Sequence, residues 1–159
     1  MSSENISMGV SEVLQFAIKI EENGWEFYKK FAELEDNEKI RELFFLLSDD
    51  EIKHKEIFEE MLSEIETYEP QEVYPPEYFS YLRAYADNII FKKGIDEQLQ
   101  KKLDAVAIID FAMRMELDSI AYYQETKNFV PESQKSIIDR IMEEERKHFL
   151  KLANFKNTL

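Results

Sequence analysis

The two histidines of the chain, His54 and His148, each follow a glutamate by three residues, in Glu51-Ile-Lys-His54 and Glu145-Arg-Lys-His148. On a helix three residues turn a side chain through about 300°, so each Glu–His pair shares one face about one turn apart. A carboxylate and an imidazole placed in this way can grip one common centre. Two further glutamates stand in a repeat: FAIKIE, residues 16–21, and FAMRME, residues 111–116. Each copy carries an alanine four positions before its last glutamate and a tyrosine seven after it, giving Ala17, Glu21 and Tyr28, then Ala112, Glu116 and Tyr123. Four carboxylates and two imidazoles buried together would be very unfavourable as isolated charges. Two divalent cations would neutralise them, and oxygen with nitrogen and no sulfur suits iron or manganese, with zinc able to occupy the same donors.

The elements that must position these residues follow from composition. The 159 residues fit one domain, 1–159, with a core of its own. Hydrophobic residues make up 44% and charged residues 34%, yet there are only three glycines and four prolines, so long helices are favoured and an all-α fold is expected. The formal charge of −14 argues against nucleic acid and against anionic membrane surfaces, both of which need clustered Lys and Arg. The absence of cysteine excludes disulfides, thiolate metal sites and iron–sulfur clusters within the chain. Neither a signal peptide nor an 18-residue apolar run is present, which leads to the expectation of a soluble cytoplasmic protein.

Periodicity predicts four long helices. The first runs from a cap at Ser11 to about Leu34, with Glu21 inside its apolar stripe; the second, from about Lys39 to Ile65, has the seam Phe44, Leu47, Glu51, His54, Phe58 and Met61. Asp104 caps the third, which ends at Val130-Pro131, and the fourth, from about Glu132 to Phe155, has the seam Ile138, Ile141, Glu145, His148 and Leu152. Asp50, Glu144 and Glu22 are competing carboxylates that the helix wheel sets aside. Glu144 shares its row with Arg140, Lys147 and Lys151, a solvated face, and the repeat selects Glu21 over Glu22.

Residues 66–103 separate the second and third helices, opening with the turn-prone YEPQEVYPPE, continuing through EYFSYLRAYADNIIF as a short helix, and breaking at Gly94. A bundle helix of about 25 residues is roughly 38 Å long, so a crossover of this length can return along it. Two helical hairpins joined by one long crossover form the ferritin-like four-helix bundle, where one glutamate from each of two helices and a Glu-x-x-His from each of the others bind two metals.

The sequence resembles the rubrerythrin-type members of the ferritin-like diiron family. DDEIKHKEIF and EEERKHFLKL correspond to the Glu-x-x-His helices, FAIKIEENGWEFY and FAMRMELDSIAYY to the single-glutamate helices, and the likeness covers the chain outside the crossover. The resemblance implies that Glu21, Glu51, His54, Glu116, Glu145 and His148 hold two iron ions, with Glu51 and either Glu116 or Glu145 among the bridging carboxylates. It implies reduction of hydrogen peroxide or dioxygen, with Glu21 and Glu116 as movable carboxylates and the histidines as fixed anchors. Electrons would come from a separate donor such as a rubredoxin-like protein, because this cysteine-free chain cannot form the family's iron–thiolate domain. The alternative is iron binding, storage or ferroxidase-type handling. Tyr28 and Tyr123 stand beside the site either as hydrogen-bond donors or as core aromatics. Where the family has a further glutamate after the third-helix ligand this chain has Ser119, matched by Gly24 in the first half, small residues expected to leave space over the metals. The aromatic crossover is expected to cover the bundle, with a homodimer contact in addition.

Overall fold

A sequence with so few breakers has little to interrupt helical hydrogen bonding, and the computed structural model, which describes residues 3–65, 75–90 and 104–159, contains long helices and no strand among those residues. Helix α1, Ser3–Leu34, starts well before Ser11, which lies inside it and caps nothing. The reason is local: residues 3–10 hold no proline, and the single Gly9 costs a helix only about 1 kcal/mol relative to alanine.

Helix α2 spans Glu38–Glu64, and its N-cap Asn37 accepts from the main-chain N–H of Lys39 at 3.0 Å and of Ile40 at 3.3 Å. Those bonds satisfy N–H groups that the first turn leaves open. Helix α3, Pro76–Tyr85, is the short crossover helix, with Pro at its first position and a single wider turn, Ala86–Ile90, after it. The remainder of the crossover, with Tyr74, Phe91 and the break expected at Gly94, lies outside the described residues. Helix α4, Ala105–Thr126, is capped by Asp104, which accepts from Ala107 N at 2.8 Å. One 3-10 turn, Lys127–Phe129, then gives way to extended Val130 before Pro131, as the steric demand of proline on its predecessor requires. Helix α5 is Glu132–Lys156.

Side-chain contacts fix the directions. Tyr28 of α1 meets Glu116 of α4 while Tyr123 meets Glu21, and His54 of α2 meets Glu144 of α5 while His148 meets Asp50, so both pairs run antiparallel. Helix α3 climbs back along α4: the Tyr78 hydroxyl donates to Glu125, and that of Tyr85 donates to the Asp118 carbonyl at 2.8 Å. Arg83 pairs with Glu12 at 2.9 Å, and Leu82 is buried beneath the helix.

The core is split in two. One apolar cluster gathers around Leu14, Phe58, Tyr122, Phe129 and Ile141, the other around Phe27, Phe44, Leu47, Ile109 and Leu152. On α1, α2, α4 and α5 alike, the buried glutamates and histidines lie between residues of the two clusters. The apolar layers align the helices, and the polar layer is held between them. No helix among the described residues is long and apolar enough to cross a membrane.

Candidate metal centre

Each of the four long helices brings its share of one polar layer. Glu21 comes from α1, Glu51 and His54 from α2, Glu116 from α4, and Glu145 and His148 from α5, and all six are at most 3% exposed. They assemble into two overlapping groups: Glu21, Glu51, His54 and Glu145 offer atoms within 4.8 Å of one another, and so do Glu51, Glu116, Glu145 and His148. Glu51 and Glu145 belong to both groups, while Glu21 and Glu116 each belong to one. Glu51 and Glu145 are thus the carboxylates within reach of both groups.

The bonding pattern tests whether a metal pair fits. Each of the six side chains has one buried polar atom without a hydrogen-bond partner: Glu21 Oε2, Glu51 Oε1, His54 Nδ1, Glu116 Oε2, Glu145 Oε1 and His148 Nδ1. Among the described residues the only other such atom is Gln134 Oε1. His54 Nδ1 lies 2.7 Å from Glu145 Oε1 and 3.5 Å from Glu21 Oε2, while His148 Nδ1 lies 3.3 Å from Glu51 Oε1 and 3.5 Å from Glu116 Oε1. These are ion-pair separations, yet the six buried atoms, one on each side chain, have no hydrogen-bond partner, so the donors converge on one common space. A buried polar atom left so costs about 1–3 kcal/mol, and six together fit a pair of cations in their midst.

Around this layer each repeat serves the other. The Tyr28 hydroxyl donates to Glu116 Oε1 and that of Tyr123 to Glu21 Oε1, both at 2.5 Å. Of the two readings of these tyrosines, the structure supports the hydrogen-bond donor, and both rings are core aromatics as well. Phe27 and Phe31 pack in the core, while Trp25 is half-buried with Lys29 over its ring.

Two carboxylates set aside by the helix wheel turn out to touch the site. His54 Nε2 is hydrogen-bonded to Glu144, and His148 Nε2 to Asp50 at 3.0 Å. Glu144 is not confined to a solvated face: its side chain, 54% exposed, reaches across from α5 to α2. The signal available in sequence was an acid immediately before the glutamate of each Glu-x-x-His pair, Asp50-Glu51 and Glu144-Glu145. With Nε2 occupied outward, each imidazole presents Nδ1 to the pocket.

Gly24 and Ser119 also differ from the expectation of open space. A Cβ on Gly24 would stand 3.0 Å from Glu51 Oε2, so the room in front of this glycine is filled by the Glu51 carboxylate. Ser119 is buried and turns its hydroxyl to the Met115 carbonyl of its own helix at 2.8 Å.

The charges respond to this crowding. Burial works against protonated His54, but the adjoining Glu145 and Glu21 carboxylates more than offset it and hold the ring up to about 12. The same opposition, with Glu116 and Glu145 as the carboxylates, holds His148 up to about 11. Burial and then the charge of Glu145 push Glu51 and Glu116 well above the usual carboxylate range. For Glu145, burial and Glu21 favour the neutral form, but Glu116 and the two imidazoles outweigh them and lower it. Burial, then the facing Glu116 and Glu21, raises the phenols of Tyr28 and Tyr123, which stay protonated. One carboxylate ionised first, two protonated imidazoles and carboxyls that retain protons are what a buried acidic cluster adopts in the absence of cations.

The rubrerythrin family model matches residues 12–156 of the chain. A solved structure from Thermotoga maritima, described as a ferritin-like diiron-carboxylate protein, is similar with a TM-score of 0.71 and 28% sequence identity, over 93% of this chain and 94% of that one. No curated protein matches the chain.

Proposed function

The chain belongs to the rubrerythrin family, and on that premise we propose that it is a diiron or dimanganese oxidoreductase that reduces hydrogen peroxide or dioxygen with electrons from a separate donor protein. The observation that carries this reading is the set of six unpartnered atoms, one from each of Glu21, Glu51, His54, Glu116, Glu145 and His148, arranged as two overlapping groups. In this reading Glu21 and His54 would hold one cation and Glu116 and His148 the other, with Glu51 and Glu145 within reach of both. A redox-active metal pair supplies the two electrons that peroxide reduction needs and open positions for the oxidant.

The chain's own residues do the rest. Asp50 and Glu144 hold the outer nitrogen of each imidazole, which keeps Nδ1 aimed inward. Tyr28 and Tyr123 hold Glu116 and Glu21 by their hydroxyls and keep a proton beside each. The two apolar clusters close the layer from water on both sides, so that charges inside it interact strongly. Without cysteine the chain cannot carry a thiolate iron of its own, and a rubredoxin-like protein is the class of donor proposed.

The test uses protein purified without oxygen, loaded with ferrous iron and mixed with hydrogen peroxide. Stoichiometric peroxide consumption with appearance of a diferric absorption band is expected, followed by renewed turnover when a rubredoxin-like donor is added. An iron-loaded protein that leaves peroxide unconsumed would sink the reading.

A further inference from the structure

The aromatic residues of the crossover and of α4 form a continuous file. Tyr81, on the outer side of α3, is 54% exposed. Its ring centroid lies 6.5 Å from that of Tyr85, which is stacked on Tyr122 at 6.1 Å, and Tyr122 lies 6.4 Å from Tyr123. Tyr122 and Tyr123 are almost wholly buried, and Tyr123 donates its hydroxyl to Glu21 of the carboxylate layer. Neighbouring rings in the same cluster, Phe58 beside Tyr123 and Phe79 and Phe129 farther out, have no hydroxyl. Oxidisable rings thus line up from pocket to surface, and a further phenol, Tyr78, stands beside the outer end with its ring 6.4 Å from that of Tyr81 and its hydroxyl donated to Glu125.

We infer that Tyr123, Tyr122, Tyr85 and Tyr81 form a one-electron relay that carries an oxidising equivalent out of the carboxylate pocket to the surface, where a small reductant of the thiol class removes it. The origin of that equivalent rests on the function proposed above: peroxide met by a single electron leaves an oxidant of the hydroxyl-radical class, which one further electron converts to hydroxide.

Hydrogen bonding says where the hole can rest. A phenol on which the hole is to rest as a neutral radical must also pass on its proton, and a main-chain carbonyl cannot take it. Tyr122 donates to the Val13 carbonyl at 3.0 Å and Tyr85 to the Asp118 carbonyl, so these two are points of transit. The ends of the file are different. Tyr123 gives its electron to the oxidant and its hydroxyl proton to the hydroxide that forms, and regains an electron through Tyr122 and Tyr85 and a proton from water. Tyr81 supplies that electron and releases its proton to water. A thiol then returns one electron and one proton to Tyr81 and becomes a thiyl radical. Helix α3 has a role in this arrangement beyond covering the bundle, because it carries the outer half of the file.

The relay is tested in the inward direction on metal-free, full-length protein. Tyr123 is replaced by 3-aminotyrosine, which is easier to oxidise than tyrosine, and a photo-excited ruthenium complex with persulfate oxidises the exposed residues. The expected result is an aminotyrosyl radical signal in electron paramagnetic resonance, lost in Tyr85→Phe and in Tyr122→Phe, which keep the rings and the packing; circular dichroism verifies the fold of each. No radical at position 123 in the parent, or an undiminished radical in both Phe variants, would overturn the relay. A protein that passes this test and consumes no peroxide when loaded with iron would overturn the proposed function alone.

Discussion

The hydroxyl of Tyr123 on α4 donates to Glu21 Oε1 on α1 at 2.5 Å, across 102 positions of sequence. The counterpart runs from Tyr28 to Glu116, also at 2.5 Å, so each copy of the repeat supplies the donor for the glutamate of the other. Phenylalanine at either position retains the ring and leaves a buried carboxylate oxygen unpaired. Tyr28→Phe and Tyr123→Phe are each expected to destabilise the metal-free protein by about 1–3 kcal/mol in urea denaturation. A loss for one variant and none for the other would break the equivalence of the two halves.

The bonds from Asp50 to His148 and from Glu144 to His54 cross between α2 and α5 in opposite senses. Both carboxylates are partly solvated, so their removal costs the fold little, whereas each fixes the orientation of an imidazole. Asp50→Asn and Glu144→Gln are therefore expected to lower metal affinity by about 10–100-fold with nearly unchanged thermal stability of the metal-free protein. Competition with a chelator measures the first quantity. Affinity unchanged in both variants would mean that packing alone orients the rings.

The same two residues mark how far sequence reads. Periodicity identifies Glu21, Glu51, His54, Glu116, Glu145 and His148 as inward-facing, because each falls in a row of apolar residues on its own helix. A helix wheel contains only its own helix. Residues at the margin of the buried face, such as Glu144, are assigned by their row-mates, and the imidazole edge on the opposing helix that draws Glu144 inward is invisible to it. The same limit applies to Gly24, whose need for a missing Cβ arises from Glu51 on another helix. The helix of the crossover was legible as a segment, but its docking along α4 depends on Tyr78 and Tyr85 finding partners at Glu125 and Asp118, which no local pattern specifies.

Protonation of the site predicts opposite pH dependences for the two forms of the protein. The surrounding carboxylates hold His54 up to about 12 and His148 up to about 11 in the folded state, against about 6.5 for a free imidazole. A raised folded value contributes stability fully below the unfolded value and loses it as pH rises toward the folded one. The raised carboxyls of Glu51 and Glu116 act in the same sense from lower pH. Metal-free protein should therefore lose stability as pH rises above about 6.5. Metal binding instead requires Nδ1 without its proton, so protons are released and apparent affinity rises with pH. Calorimetry of manganese or zinc binding in buffers of different ionisation enthalpy measures the release; zero release would contradict the protonated histidines.

Gly24 and Ser119 occupy corresponding places after Glu21 and Glu116, yet the structure gives them unequal weight. A methyl group on Gly24 would press on Glu51 Oε2 at 3.0 Å, and Glu51 belongs to both groups of candidate ligands. Its carboxylate must then give by a few tenths of an ångström, in a layer where Glu51 Oε1 already stands 3.3 Å from His148 Nδ1. Ser119, by contrast, spends its hydroxyl on the Met115 carbonyl of the same helix turn, a bond whose loss costs about 0.5–1.5 kcal/mol. Gly24→Ala is accordingly expected to reduce bound metal below two ions per chain in elemental analysis while the helical content is retained, and Ser119→Ala to leave the metal content unchanged. Full metal loading in Gly24→Ala would show that Glu51 can bind from a displaced position, and equal losses in the two variants would show that both positions support the centre alike.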